Sequence, residues 1–265
     1  NIYLKFIKVH MENKFNISVL IDGDNAQPKL IKEIIDEVSK YGKATIRRIY
    51  GDWTSQQMNS WKATINQHSI TPIQKFSYTT GKNSTDGALI IDAMDILHGK
   101  NTEGFCIVSS DSDYTGLAKR IREEGLFVMG IGEKKTPTAF VKSCEVFTFT
   151  ENLKNEEAED DDEKNSTDTE TTKKKVAKKV KPTTQNIRLS KEDWKTVLKA
   201  FDISTNEEEK AHISTLGLNL RKIDPSFDPR SYGFKSLTKL FANIDKFELI
   251  KNEVGGLNHP LLKMK

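Results

Sequence analysis

In the first 150 residues, short apolar runs of strand length alternate with amphipathic segments of helical period, and three of the runs stop at aspartates. Ile17-Ser18-Val19-Leu20-Ile21 closes on Asp22-Gly23-Asp24-Asn25. Pro28 suits a first helical turn, and Leu30, Ile31, Ile34, Ile35 and Val38 then recur at helical spacing as far as Gly42. Ala44 to Tyr50 reads as a second strand ending at Gly51-Asp52, followed by a helix around Gln57 to Gln67 and a short strand from Ile70 to Phe76. Ser84 or Thr85 caps a helix through Leu89, Ile90, Ala93, Met94 and Leu97, with Asp86 in its first turn. Phe105-Cys106-Ile107-Val108 runs into Ser109-Ser110-Asp111-Ser112-Asp113, and a helix with Leu117 and Ile121 stops near Gly125. Leu126 to Ile131 is another buried strand, and Val146 to Phe149 closes the set. Apolar strands separated by amphipathic helices predict an α/β domain with a parallel sheet covered on both faces. Ligands of such sheets bind beyond the carboxyl ends of the strands, which is where the aspartates collect.

A lone carboxylate after a strand is usually a helix cap or a turn residue. Here three strand ends carry aspartate (Asp22 and Asp24, Asp52, Asp111 and Asp113), and Asp86 adds a fourth position at a helix start. Like charges gathered in one crevice repel and raise one another's pKa, a cost that a bound divalent cation removes. All-oxygen ligation suits Mg²⁺ or Mn²⁺ rather than Zn²⁺. A pair of such ions can clamp the attacking water and the leaving oxygen of a phosphodiester.

The remaining composition bounds the rest. Hydrophobic residues make up 36% and charged residues 30%, with a net charge of only +3, so folded parts joined by a solvated segment are expected. No apolar run approaches the ~20 residues of a membrane-spanning helix. Two cysteines, Cys106 and Cys144, without a CxxC pair, read as buried thiols in a reducing compartment, so the expected location is the cytoplasm. Residues 1–15 read as an N-terminal extension, with Met11 as the more natural start. Residues 151–186 carry an acidic run, a Ser/Thr patch and the basic run Lys173 to Lys179 without any periodic apolar face. That stretch is expected to be a disordered linker, its lysines either solvated or in contact with phosphates.

The stretches Ile21-Asp22-Gly23-Asp24-Asn25, Ser84-Thr85-Asp86-Gly87-Ala88-Leu89-Ile90-Ile91-Asp92 and Ile107-Val108-Ser109-Ser110-Asp111-Ser112-Asp113-Tyr114 resemble the three signature stretches of NYN domains, in the PIN-like nuclease superfamily. The resemblance covers about residues 16–150 and implies a Rossmann-like parallel sheet and metal-dependent RNA cleavage. It implies Asp22, Asp86, Asp111 and Asp113 as metal ligands for Mg²⁺ or Mn²⁺, with Asn25 orienting Asp22 or the substrate. Asp24 is kept with the substrate-binding set, whereas Asp92 lies ~240° around the helix from Asp86 and ranks second. Ser109 and Ser110 could bond substrate phosphate or satisfy local backbone groups, and Lys82 could meet phosphate or only solvent. Trp53, Tyr78 and Tyr114 could stack on an unpaired base or pack in the core.

Asp22-Gly23-Asp24 after a first strand also resembles the start of aspartate-nucleophile phosphatases of the haloacid dehalogenase type. Those carry Thr or Val where this chain has Ala26, so phosphatase is the weaker alternative. An RNA-binding adaptor without turnover is the non-enzyme alternative.

From about residue 187 to 265 the pattern turns helical. Trp194, Val197, Leu198 and Phe201 share a face, then Ile213 to Ile223 and Leu237 to Ile244, before Phe247-Glu248-Leu249-Ile250 and a turn at Gly255-Gly256. A small α+β unit of wing-and-helix plan is expected. Pro225-Ser226-Phe227-Asp228-Pro229-Arg230-Ser231-Tyr232-Gly233-Phe234-Lys235-Ser236-Leu237, with Leu216 to Lys222 and Phe247-Glu248-Leu249, resembles the OST-HTH or LOTUS domain. That resemblance implies a winged helix-turn-helix that binds RNA or, in some members, a protein partner. Arg230, Tyr232, Lys235 and Lys239 are the candidates for RNA contact, although Tyr232 also reads as core and Gly233 as a backbone turn.

Overall fold

A computed structural model of the chain describes residues 15–76, 84–153, 189–254 and 257–265. Lys82, Tyr78 and the expected linker from residue 154 onward lie outside the described residues. The chain divides into two units that meet at about Lys154, and each is taken by itself.

The first unit is built on a six-stranded, wholly parallel sheet in the order β3-β2-β1-β4-β5-β6. Its strands are β1 (Asn16–Asp22), β2 (Lys43–Gly51), β3 (Thr71–Gln74), β4 (Gly104–Val108), β5 (Phe127–Gly132) and β6 (Val146–Phe149). β1 is buried along nearly its whole length because both of its faces are covered. Ile17, Val19 and Ile21 point to one side, where Ile31, Ile34 and Val38 of α1 (Ile31–Ser39) pack with Met58 and Trp61. Leu20 points to the other, against α3 (Ser84–His98), α4 (Thr115–Glu123) and α5 (Thr138–Ser143) through Leu89, Ala93, Leu117, Ile121 and Phe140. Each fully buried aliphatic side chain of this kind contributes ~1.5–3 kcal/mol, so the two layers fix the period-2 register of the sheet.

The expected helix near Gln57 is a 3-10 stretch, Gln56–Trp61, that continues into α2 (Lys62–Gln67). α5 was not anticipated from the sequence, and the unit runs past the expected boundary at residue 150. A short α6 (Thr150–Leu153) follows β6 and seats Leu153, fully buried, in the α1-side core. The chain leaves β1 toward β2 and β3 on one side and returns to β4 on the other, which opens a crevice at the carboxyl ends of β1 and β4. The first turn into that crevice requires glycine. Gly23 donates its amide to Tyr50 O at 2.9 Å, and a Cβ there would lie 2.6 Å from Met58 Cε and 2.7 Å from Tyr50 O.

The second unit begins with α7 (Lys191–Asp202), whose start is fixed by a capping box between Ser190 and Asp193. Next come β7 (Lys210–His212), α8 (Ile213–Ile223), a 3-10 turn (Pro229–Tyr232), α9 (Leu237–Ala242) and β8 (Phe247–Ile250). β9 (Glu253–Val254) pairs with β10 (Leu257–Asn258), and β11 (Leu261–Met264) closes an antiparallel sheet in the order β7-β11-β8. Val197, Phe201, Leu216, Leu220, Leu240, Phe241, Phe247 and Leu262 form its core. Gly233, at φ 83°, ends the 3-10 turn in the left-handed region that favours glycine.

Candidate active site

The carboxyl edge of the sheet assembles the acidic residues from three elements. β1 delivers Asp22, the first turn of α3 delivers Asp86, and the segment after β4 delivers Asp111 and Asp113. Asp111 is the N-cap of the 3-10 turn Ser112–Tyr114, and its Oδ1 accepts the Asp113 amide at 2.9 Å. One carboxylate oxygen from each of Asp86, Asp111 and Asp113 lies within 4.8 Å of the other two. Asp24 is exposed at the margin of this group.

Asp22 is not part of that triad. It is fully buried, and its carboxylate is held by donors on every side. Oδ2 accepts from Asn25 Nδ2 at 2.7 Å and from Ser109 Oγ at 2.9 Å, and the Tyr114 hydroxyl lies 3.3 Å away. Oδ1 accepts the Asp24 amide at 3.1 Å. The same Tyr114 hydroxyl donates to Asp86 Oδ1 at 2.7 Å, so one buried phenol stands between the two carboxylates. Ser109 links Asp22 to the triad as well, accepting the Asp111 amide at 3.0 Å.

The electrostatics follow from this placement. Burial pushes the Asp22 carboxyl above its ordinary range, hydrogen bonds from Asn25 and Ser109 pull it back, and the charges of Asp86 and Asp24 push it up again. Asp86 is likewise raised by burial, lowered by its bond from Tyr114 and raised by Asp111, Asp113 and Asp24. Burial, then the charge of Asp22, drives the Tyr114 hydroxyl far upward, which leaves it a donor across the working pH range. A crevice of this kind favours a cation.

The other residues singled out in the sequence take the following places. Ser109 is 2% exposed and its proton goes to Asp22, so it seats a carboxylate rather than reaching for phosphate. Ser110 accepts the Glu133 amide at 2.8 Å and lines a small hollow with Gln27, Leu30, Ile131 and Thr150. Asp52 is a turn residue: Oδ1 accepts from the Thr54 amide, the Thr54 hydroxyl and Gln74 Nε2, lacing β2 to β3. Tyr114 is buried and cannot stack on a base. Trp53 Nε1 donates to Ile73 O at 3.0 Å. Asp92 faces β2, where the Arg48 guanidinium and the Tyr50 hydroxyl both donate to it.

A model of the NYN domain matches residues 16–153, just over half of the chain. The chain belongs to the NYN family. Behind the NYN domain, a model of the OST-HTH/LOTUS domain matches residues 186–259. No curated protein matches the chain. Among solved structures, a protein of unknown function from Vibrio parahaemolyticus RIMD 2210633 is similar at 15% identity and a TM-score of 0.43, over 51% of this chain and 91% of that one. A likeness that loose carries no argument.

Within the OST-HTH domain, the four expected contact residues separate into two kinds. Arg230 folds back on Asp228, with Nη2 at 2.7 Å and Nε at 3.0 Å from Oδ2, and its side chain is only 14% exposed. Tyr232 packs on Phe227 at 5.6 Å between ring centroids and hydrogen-bonds Asp193 at the start of α7. These two hold the fold together. Lys235 and Lys239 are exposed around the start of α9.

Proposed function

We propose that the protein is a ribonuclease that depends on Mg²⁺ or Mn²⁺, with the NYN domain cutting RNA phosphodiester bonds and the OST-HTH domain recruiting the RNA. The observation that carries this reading is the convergence of Asp86, Asp111 and Asp113 at the carboxyl edge of an NYN sheet. The donor set fits the ion: hard carboxylate oxygens, two of them on partly buried residues, with neither sulfur nor imidazole in the group. Asp86, Asp111 and Asp113 would hold the ion, with the buried Asp22 behind them, linked to Asp86 through the Tyr114 hydroxyl. When bound, it would supply a water of lowered pKa and a positive charge against the developing negative charge on phosphate.

The chain's own residues do the rest. Asn25 and Ser109 fix the Asp22 carboxylate, and Asp111 fixes the turn that presents Asp113. Lys235 and Lys239 on the second domain would neutralise phosphates and raise the local concentration of RNA at the first. The products expected are a 5′-phosphate and a 3′-hydroxyl. Both cysteines are buried free thiols, which suits a reducing compartment such as the cytoplasm. No helix among the described residues is long and apolar enough to cross a membrane. The test is incubation of the purified chain with end-labelled single-stranded and folded RNAs, in Mn²⁺ or in EDTA. Cleavage in Mn²⁺ alone supports the reading. Binding without cleavage in either would replace it with the adaptor role.

A further inference from the structure

Between the buried carboxylate of Asp22 and the partly buried one of Asp86 stands a hydroxyl that the proposed chemistry does not use. Tyr114 is fully buried, and its ring packs against Phe140 with centroids 6.4 Å apart. Its hydroxyl has one proton and two acceptors in reach, Asp86 Oδ1 at 2.7 Å and Asp22 Oδ2 at 3.3 Å. Among the described residues no other side chain hydrogen-bonds both. The two aspartates come from different elements, β1 and α3, so their mutual geometry depends on whatever joins those elements at that point. α3 itself is anchored elsewhere, because Asp92 on the same helix receives the Arg48 guanidinium and the Tyr50 hydroxyl from β2. Loss of the Tyr114 hydroxyl would therefore free the Asp86 carboxylate without freeing the helix. Repulsion from Asp111 and Asp113 would then turn that carboxylate away from the position in which it can share a cation with them.

We propose that Tyr114 is a positioning residue, which holds Asp86 against Asp22 in the orientation a metal ion requires. The proposal rests on the metal-site reading above. Outer hydrogen-bond partners of metal ligands typically contribute 10–100-fold to metal affinity, and Tyr114→Phe keeps the ring while removing only the hydroxyl.

The test is calorimetric titration of Mn²⁺ into the full chain and into Tyr114→Phe, with melting in EDTA as the control on folding. The expected result is a cooperative melt in both and an affinity ~10–100-fold weaker in the variant, with RNA cleavage recovering as Mn²⁺ is raised. A parent that binds Mn²⁺ and a variant that binds it equally well would overturn the positioning role alone. A parent that binds no Mn²⁺ overturns the metal site, and the positioning role with it. Should the variant not fold, the Tyr114 hydroxyl proton of the parent is followed by NMR. A slowly exchanging resonance that shifts on addition of Mg²⁺ supports the role. One that exchanges freely and does not respond to Mg²⁺ overturns it.

Discussion

Replacing Ser109 with alanine removes the hydroxyl that ties Asp22 to the turn carrying Asp111. The lost bond is 2.9 Å long, ends on a fully buried carboxylate and comes from a residue 2% exposed, so water does not take its place. A hydrogen bond to a charged group of this kind is worth ~1.5–3 kcal/mol. The Asp111 amide also loses its acceptor, but Asp111 is partly exposed and solvent can compensate. The metal-free NYN domain should therefore lose about 2 kcal/mol at neutral pH, or ~4–8 °C in melting temperature for a domain of this size. The loss carries a pH signature, since the bond favours the ionised form of Asp22. It should be largest at neutral pH and shrink as acid protonates that carboxyl. Urea unfolding by tryptophan fluorescence measures it. Trp53 and Trp61 lie in the NYN domain and Trp194 in the other, so a Trp194→Phe background isolates the signal. A loss below ~0.5 kcal/mol, or one equal at pH 5 and pH 7, would refute the claim that Ser109 supports a buried carboxylate.

Two further outcomes follow from the same geometry. Asp22 and Asp86 are both raised in the folded state, so their stabilising contribution is complete below the ordinary carboxylate pKa of ~3.9 and is lost as pH rises through the folded values. In EDTA this contribution should fall from mildly acidic toward neutral pH, and millimolar Mn²⁺ should restore melting temperature most at neutral pH; scanning calorimetry across that range checks the sign. In the OST-HTH domain, Arg230→Ala should cost ~1–3 kcal/mol of stability by stripping Asp228 of its partner, whereas Lys239→Ala should leave stability unchanged and reduce the salt slope of RNA binding by about one. Melting curves and anisotropy titrations at several salt concentrations distinguish the two.

The sheet and the placement of the aspartates were legible because both follow from local pattern. Apolar runs such as Ile17 to Ile21 and Phe105 to Val108 must be buried on both sides, and a parallel sheet leaves their carboxyl ends facing one crevice. Period alone also placed Asp92 away from Asp86, and it does face β2. Less legible was which aspartates would be solvent-facing ligands and which would be buried and saturated. Asp22 and Asp52 both follow strands, yet one is enclosed by Asn25, Ser109 and Tyr114 and the other merely closes a turn with Thr54 and Gln74. Asn25 and Thr54 are local, but Ser109, Tyr114 and Gln74 come from distant sequence, and spacing does not encode them. Tyr114 was visible as an aromatic beside Asp113, but its burial depends on Phe140 from a helix that the sequence did not announce. Arg230 is the opposite case. Its partner stands two residues away in Asp228-Pro229-Arg230, and the local turn absorbs a charge that the resemblance to the OST-HTH domain had offered for RNA contact.

The most direct test of the nuclease reading is Asp111→Asn in the full chain, with cleavage and RNA binding measured side by side in Mn²⁺. The substitution keeps an oxygen that can accept the Asp113 amide, so the turn survives, and it removes one of three charges that converge within 4.8 Å. Cleavage should fall ~10²-fold or more, as when one strong electrostatic contributor is lost. RNA affinity should hardly change if, as proposed, most of it comes from the OST-HTH domain. A variant that cuts RNA as fast as the parent would contradict the assignment of this site.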